Sequence, residues 1–281
     1  MVSTVGALKS EVGAEAMKAS EEDLKQGATR GHLPEVFLSV AMGAFNEEAA
    51  IEGVIMEHVQ VLQNLQPPVR KWEIVCVDDG SIDSTPQILD RIRSRLPELR
   101  VIRHHTNRGI AATQAHLYRE ARGTHIYFTG SDGQWPPENL PRMLGLVLAG
   151  ADLVVGVRQN QKEVYNLRRR FVSFAFNFLP ELLLGVKTGD AGSVKLGRTE
   201  LFTLPMVSRS PFAEAERILQ AQRSGYKVDF IPIRFLNRSG GKSKGASWRN
   251  VASSTDDLFR CFLHYRLGPQ ARGFCQRFRG R

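Results

Sequence analysis

Short apolar runs alternate with amphipathic stretches between residues 36 and 157. The runs are rich in Val, Ile and Phe, and between them the apolar residues recur at the three- and four-residue spacing of a helix. This pattern predicts an α/β fold in which buried, mostly parallel strands are covered by helices on both faces. The predicted strands are 36–45, 72–80, 100–105, 124–130 and 151–157, and the predicted helices are 47–65, 85–96, 109–121 and 137–150.

The two ends of the chain differ from this central pattern. Residues 1–34 are rich in Ala, Glu and Lys and hold few large apolar residues, so we expect a flexible leader there. We expect one α/β domain over 35–245 and a basic helical tail over 246–281. Residues 234–281 contain eleven Lys or Arg against two Asp, which accounts for the whole net charge of +9. A basic arm of this kind either binds a polyanion or only improves solubility.

Three further features narrow the class of protein. The three cysteines are scattered without metal-ligand spacing, which indicates reduced thiols in a cytoplasmic protein. Neither a signal-peptide pattern nor an apolar run of membrane-spanning length occurs, so any membrane contact is expected to be peripheral, on the cytoplasmic face. We find no aromatic platform among the basic residues and no recognised nucleic-acid-binding module, so no nucleic-acid partner is expected.

Polar residues follow three of the predicted strands where each strand ends. Glu47 follows the first strand, Asp79 the second, and Asp132 the fourth. The carboxyl ends of parallel strands meet at one edge of a sheet, where ligands of open α/β sheets bind. Each residue by itself can also be explained as a turn or a helix cap. Together, three like charges on one rim repel each other unless a ligand or cation compensates them.

Four motifs carry a family resemblance: VAMGAFNEE, VCVDDGSIDST, NRGIAATQAHLYREARG and SDGQWPPENLPRML, in this order and spacing. The sequence resembles family 2 glycosyltransferases of the GT-A type, and within them the dolichyl-phosphate mannosyltransferase and polyprenyl-phosphate glycosyltransferase branch. The match runs from about Val36 to Lys244. The resemblance implies a Rossmann-like GT-A sheet and an inverting hexosyltransferase, which moves a sugar from a UDP- or GDP-sugar to a polyprenyl or dolichyl phosphate at a membrane face.

The resemblance also implies which residues bind the donor. Arg238 and Lys244 match the positions that hold its diphosphate, on a Gly/Ser-rich loop suited to closing over it. The implied donor-binding residues are Gly43, Phe45, Glu47, Val77, Asp79, Ser131, Asp132, Gln134, Arg238 and Lys244.

One position departs from the family pattern. Members of the family use a D-x-D pair to hold Mg²⁺ or Mn²⁺, and here the pair reads Gly130 and Asp132. Asp132 is therefore the single metal ligand and catalytic carboxylate that the motif supplies. Because Mg²⁺ often binds through one or two carboxylates and substrate phosphates, one aspartate can suffice. Otherwise Lys242 and Lys244 carry more of the charge compensation.

Three features bear on the acceptor. In the segment 166–186, the arginines at 168–170 precede an apolar helix, which indicates either contact with an anionic lipid or a core helix with a cationic start. The lipid-phosphate residues predicted there are Arg169, Arg170 and Ser173. The resemblance puts Asp190 near the acceptor, Glu216 at a glutamate of the lipid-phosphate branch, and Glu214 where hydroxyl-acceptor members carry their catalytic base.

Two alternatives to the lipid-phosphate enzyme remain. In the first, a soluble glycosyltransferase acts on a hydroxyl of a glycan or small molecule, and Glu214 is its general base. A phosphate acceptor needs no strong base because it is already ionised near pH 7. In the second, the chain is a non-catalytic nucleotide-binding module.

Overall fold

The predicted alternation of strands and helices is present in the structure, a computed structural model that describes residues 35–159, 178–238 and 248–267. The predicted and observed elements differ mainly at their ends. The first half contains β1 (Val36–Ala44), α1 (Ile51–Gln63), β2 (Val69–Asp78), α2 (Thr85–Arg93), β3 (Leu99–Arg103), α3 (Ile110–Glu120), β4 (His125–Gly130), α4 (Asn139–Leu148) and β5 (Leu153–Arg158).

The second half contains the two helical segments that were predicted within 166–186 and 246–281, together with β6, α5, α6 and β7, which the apolar pattern did not delimit. A helical stretch covers 178–184. It is followed by β6 (Lys195–Arg198), α5 (Thr199–Phe202), α6 (Ala213–Arg223), β7 (Val228–Ile233), α7 (Trp248–Phe262) and a π-helical turn (Leu263–Leu267). The sequence of β6 is KLGR, which has no apolar run, so only its position inside the sheet makes it a strand.

The seven strands form one sheet in the order β3-β2-β1-β4-β6-β5-β7. All neighbouring strands are parallel except β6, which runs antiparallel to β4 and to β5. The mostly parallel α/β fold is thus confirmed. Gly43 of β1 pairs with Val77 of β2 on one side and with Gly130 of β4 on the other, so the carboxyl ends of these three strands lie level with one another.

Helices cover both faces of the sheet, because successive side chains of a buried strand point to opposite faces. On β1, Val40 and Met42 join a core with residues of α1, α2 and α4. Ala41 points the other way, into a core formed with α3, α5, α6 and α7. Within the residues that the structure describes, no helix is both long enough and apolar enough to cross a bilayer.

The C-terminal helix α7 is held against the domain by buried polar contacts. The Asp257 carboxylate accepts hydrogen bonds from the backbone N–H of Arg209 (2.8 Å) and of Ser210 (2.7 Å). The Tyr265 hydroxyl donates to Glu216 of α6 at 2.7 Å. Since these bonds start from α7 and from the turn that follows it, the predicted helical segment packs on the sheet-covering helices.

The close packing of β6 against β5 requires a glycine at position 197. A Cβ added to Gly197 would lie 2.6 Å from the backbone oxygen of Asp152 and 2.9 Å from a methyl group of Leu153. We therefore expect Gly197→Ala to lower the free energy of unfolding by about 1–3 kcal/mol, measured by urea denaturation, because the strands must move apart.

Gly145→Ala is the matched control for this substitution. Gly145 lies in α4, where an added Cβ meets nothing within 4 Å, so alanine should leave stability unchanged or raise it by up to about 1 kcal/mol. Equal effects at both positions would contradict the close approach of β5 and β6.

Candidate active site

A cavity of about 1010 Å³ opens at the carboxyl ends of β1, β2 and β4. Its further walls come from the start of α3, the end of β5, the loops before β6 and α6, and α7. Most of the predicted donor-binding residues line it: Gly43, Phe45, Glu47, Asp79, Ser131, Asp132, Gln134 and Arg238.

The remaining predicted site residues are either buried or outside the described residues. Val77 is fully buried inside β2, beside Gly43, and is not among the described residues that line the cavity. Asp190 and Glu214 are also buried and are not among the described residues that line the cavity. Lys244, Arg169, Arg170 and Ser173 lie outside the described residues.

The carboxylates of the first and fourth strand ends are joined by one arginine. Arg238 forms an ion pair with Glu47, and its second terminal nitrogen lies 3.9 Å from Asp132 Oδ2. The backbone N–H of Glu47 donates to the Thr85 hydroxyl at 2.9 Å, which fixes the loop after β1. The repulsion expected between the clustered carboxylates is thus reduced by a guanidinium within the site.

Asp79 both lines the cavity and holds one of its walls. Its carboxylate accepts hydrogen bonds from the backbone N–H of Arg108 (2.8 Å) and of Gly109 (2.9 Å), and from His104 Nδ1 (2.6 Å). His104 in turn contacts His116 Nδ1 at 2.9 Å through Nε2. Sequence reasoning missed both histidines, although His104 directly follows β3 and so obeys the same strand-end rule.

Ser131 and Gln134 bind backbone groups of neighbouring loops. The Ser131 hydroxyl donates to the carbonyl of Gly43 at 2.7 Å. The Gln134 side-chain amide donates to the carbonyl of Leu236 at 3.0 Å, and the Leu236 N–H donates back to the Gln134 carbonyl at 2.9 Å. Gln134 therefore ties the loop after β4 to the segment that carries Arg238.

A cationic and aromatic group forms another part of the cavity wall. Arg158, at the end of β5, pairs with Asp190 through two of its nitrogens. Its guanidinium lies 5.4 Å from the Trp135 ring and 5.2 Å from the Phe235 ring, and all three residues line the cavity. Asp190 thus acts on the cavity through Arg158. Arg158 was also missed, although it follows an apolar strand as Asp79 does.

Glu214 belongs to a buried ionic group. Lys195 Nζ lies 3.0 Å and Arg217 Nη2 3.6 Å from its carboxylate, and the Tyr118 hydroxyl donates to it at 3.0 Å. Lys195 also donates to the carbonyls of Ala191 (2.6 Å) and Ser193 (3.0 Å). Burial opposes ionisation of Glu214, but Lys195 and Arg217 outweigh it and hold the pKa of Glu214 below its ordinary value.

The described residues can offer a metal ion only part of its coordination shell. Asp132 provides a carboxylate at the cavity wall, which is a ligand type that Mg²⁺ and Mn²⁺ prefer. Within the described ranges, no three His, Cys, Asp or Glu side chains converge to hold a metal by themselves. A metal at Asp132 would therefore take its other ligands from a bound substrate and water.

The fold and the placement of these strand-end residues define a GT-A type glycosyltransferase. The family model described as "Glycosyl transferase family 2" matches residues 39–202, more than half of the chain. The chain belongs to glycosyl transferase family 2, and it is an enzyme of the glycosyltransferase class.

Curated relatives match the narrower resemblance as well. A dolichyl-phosphate hexose transferase of Haloferax volcanii is 29% identical over 205 residues, which cover 72% of this chain and 84% of that protein. A dodecaprenyl-phosphate galacturonate synthase of Rhizobium johnstonii is 33% identical over 242 residues, which cover 83% of this chain and 69% of that protein. Both names belong to the polyprenyl-phosphate branch to which the motifs pointed.

Solved structures confirm the fold. Glucosyl-3-phosphoglycerate synthase of Mycobacterium tuberculosis, in complex with Mn²⁺, UDP-glucose and phosphoglyceric acid, has a TM-score of 0.62 at 20% identity, covering 81% of this chain and 80% of that one. A mannosyltransferase of Pyrobaculum calidifontis, in complex with GDP-mannose and Mn²⁺, has a TM-score of 0.54 at 17% identity, covering 90% and 74%.

The ionic group around Glu214 leads to a stability prediction. Glu214→Gln leaves Lys195 buried beside a neutral partner, so the free energy of unfolding at pH 7 should fall by about 3 kcal/mol. The pKa of Glu214 is lowered in the folded protein. The ionised Glu214 therefore contributes its full stabilisation above the ordinary glutamate pKa of about 4.3, and this stabilisation is lost as the pH falls further. The difference in the free energy of unfolding between wild type and Glu214→Gln should accordingly shrink below about pH 4.

Urea denaturation across this pH range measures the effect, with Glu200→Gln on α5 as an exposed control that should change stability by less than about 0.5 kcal/mol. Folded Glu214→Gln should keep its donor affinity. An unchanged stability together with a loss of about 10²-fold or more in kcat would instead identify Glu214 as a general base.

Proposed function

We propose that this chain is an inverting glycosyltransferase that transfers a sugar from a UDP- or GDP-sugar to a polyprenyl or dolichyl phosphate at a membrane surface. The observation that carries the proposal is the convergence of Glu47, Asp132 and Arg238 on the cavity at the strand ends. The names of the relatives support the acceptor, and the UDP- and GDP-sugars bound in structures of the same fold support the donor.

The donor binds across the strand ends in this proposal. Glu47 and Asp79 accept hydrogen bonds from the base and ribose, and the backbone at Gly43 and Phe45 lies against them. Arg238 binds the diphosphate, with Lys244 as a further cation. For this the Arg238 guanidinium turns from Glu47 toward the phosphates, which it can bind bidentately. Because Gln134 anchors the neighbouring backbone, Arg238 stays close to Asp132 during this change.

Asp132 is the residue that would hold Mg²⁺ or Mn²⁺. When bound, such an ion supplies positive charge that stabilises the departing diphosphate. Arg238 supplies fixed positive charge at the same place. The Arg238 charge favours departure of the nucleoside diphosphate, and the acceptor oxygen attacks the anomeric carbon in line from the opposite side as the bond to the diphosphate breaks, which inverts the configuration.

The acceptor is a phosphate in this proposal, which agrees with the surroundings of Glu214. An ionised phosphate oxygen attacks without losing a proton, so no general base is required. Glu214 is already occupied by Lys195, Arg217 and Tyr118. Arg158 and Arg209 line the cavity and can attract an anionic acceptor. Arg169, Arg170 and Ser173 remain the predicted lipid-phosphate residues.

An exposed apolar surface supports action at a membrane. It is formed by the helical stretch 178–184 and by the end of α7 with the π-helical turn that follows. The two segments are adjacent, because Arg266 Nε donates to the carbonyl of Leu183 at 3.3 Å. The exposed apolar side chains of this surface are Phe178, Leu179, Leu182, Phe259, Leu263 and Leu267. Large apolar groups beside arginines suit the headgroup boundary of an anionic bilayer. We place the enzyme on the cytoplasmic face, with 1–34 as a leader, 35–245 as the catalytic domain and 246–281 as a basic helical tail.

A transfer assay tests the proposed reaction. With a UDP- or GDP-sugar, detergent-solubilised polyprenyl phosphate should accept the sugar with inversion of the anomeric configuration, measured by NMR of the product. The matching polyprenol without phosphate should not react. Asp79→Ala should weaken donor binding by about 1–3 kcal/mol and serves as the low-activity control. Transfer to hydroxyl acceptors alone would support the alternative enzyme, and binding of nucleotide without any transfer would support the non-catalytic module.

The apolar surface gives a separate prediction. Leu182→Ser combined with Leu263→Ser should weaken binding to vesicles containing phosphatidylglycerol by about tenfold or more, because burying one leucine contributes roughly 1.5–3 kcal/mol. Co-sedimentation measures this effect, and binding should also fall with added salt. Ile82→Ser is the matched control, since Ile82 is 90% exposed but lies outside this surface. Equal losses in the two variants would argue against the surface as the membrane contact.

A further inference from the structure

The Asp79 carboxylate has most of its hydrogen-bonding positions filled by the protein itself. Its Oδ1 accepts from His104 Nδ1 at 2.6 Å and from the backbone N–H of Arg108 at 2.8 Å, and its Oδ2 accepts the backbone N–H of Gly109 at 2.9 Å. An ionised carboxylate can accept about four hydrogen bonds, two on each oxygen. One position therefore remains on Oδ2, and Asp79 lines the cavity.

The contact between Asp79 and His104 is fixed by a second histidine. His116 Nδ1 lies 2.9 Å from His104 Nε2, and the two rings are parallel to within 4°. In the neutral pair, His104 Nδ1–H donates to the carboxylate, and His104 Nε2 accepts from His116 Nδ1–H. Since His104 is buried, a ligand in the cavity does not replace it at Oδ1.

The wall beside Asp79 presents mainly hydrogen-bond donors. Residues 110–112, the first turn of α3, line the same cavity. The first N–H groups of a helix have no partner inside it, and no side chain caps α3 in the described part of the chain. Two carbonyls of this wall are already engaged, because that of Ala44 accepts the Asp79 N–H at 2.8 Å and that of Asp79 accepts the Asn107 side-chain amide at 3.2 Å.

Uracil and guanine differ in the edge that they would present to this wall. Uracil has a single donor, N3–H, between two carbonyl acceptors, O2 and O4. Guanine has two adjacent donors, N1–H and the exocyclic amino group, beside one acceptor, O6. One accepting position beside N–H donors therefore matches uracil. A bound guanine would leave its second donor without a partner, which lowers affinity.

We propose that the donor is a uridine diphosphate-sugar and that Asp79, held by His104 and by the start of α3, selects its base. The remaining position on Asp79 Oδ2 accepts the N3–H of uracil, and the first turn of α3 donates toward the carbonyl oxygens of the base. Guanine is disfavoured because only one of its two donors finds an acceptor there. This inference rests on the proposed function, which gives the site a nucleoside diphosphate-sugar of either base.

Calorimetric titration of the full chain with UDP, GDP and IDP in the presence of Mg²⁺ tests this selection. UDP should bind at least about tenfold more tightly than GDP. Inosine diphosphate, IDP, has the ring size of GDP but lacks the exocyclic amino group, so it should bind at least about threefold more tightly than GDP. GDP binding as tight as that of UDP, or IDP binding no tighter than that of GDP, would overturn the proposal.

Asp79→Asn gives a second test with two bases of equal size. His104 and Arg108 both donate to Oδ1, so the amide oxygen stays there and the amide nitrogen takes the place of Oδ2. The cavity then presents a donor, which matches the unprotonated N3 of cytosine instead of the N3–H of uracil. The ratio of CDP affinity to UDP affinity should therefore rise at least about tenfold relative to the wild type.

Asp132→Asn is the matched control for this ratio. Asp132 lies at the diphosphate end of the proposed site, so its substitution should weaken UDP and CDP equally. An equal ratio in the wild type and in folded Asp79→Asn would remove Asp79 from base selection. If Asp79→Asn does not fold, the comparison of GDP with IDP in the wild type still decides the proposal.

The outcomes separate this inference from the proposed function. Selection of UDP without any sugar transfer would support the base selection and contradict the proposed function. Tighter binding of GDP together with transfer from a GDP-sugar would support the proposed function and overturn the base selection. Absence of binding by every nucleotide would overturn both.

Discussion

A buried ion pair between β6 and α6 underlies the arrangement of the site. Lys195 is fully buried in the one antiparallel strand of the described sheet, and a buried ammonium group is costly unless an anion compensates it. Glu214 provides that anion at 3.0 Å. The remaining donor capacity of Lys195 is directed at the carbonyls of Ala191 and Ser193. The pair thus fixes both α6 and the loop that precedes β6.

The loop before β6 also contacts a residue of the cavity wall. Asp190 lies in it and pairs with Arg158, whose guanidinium lies over the rings of Trp135 and Phe235. Trp135 in turn borders Gly130, next to the carboxylate of Asp132. A continuous series of buried charges and packed rings therefore connects the interior of the protein to the cavity wall at Asp132. Such support by packed neighbours is what holds site residues in a defined geometry.

The carboxylates of the cavity are compensated by cationic and N–H groups of the protein itself. Arg238 joins the carboxylates of Glu47 and Asp132, and the Asp79 carboxylate is satisfied by backbone N–H groups and a histidine. In the proposed donor complex, the diphosphate and ribose hydroxyls replace these contacts of Arg238. The protein therefore avoids the repulsion of clustered carboxylates while keeping them available for binding.

The amino-acid sequence by itself determined the alternating strands and helices of the first half, because their apolar periods are long and regular. It also determined that Glu47, Asp79 and Asp132 meet at one edge, because parallel strands end together. It did not indicate β6, whose four residues carry no apolar run and become a strand only between β4 and β5. Nor did it predict that Glu214 is buried away from the cavity or that Trp135 packs beside Gly130. Those relations depend on side chains from distant elements packing together, and only the tertiary structure decides them.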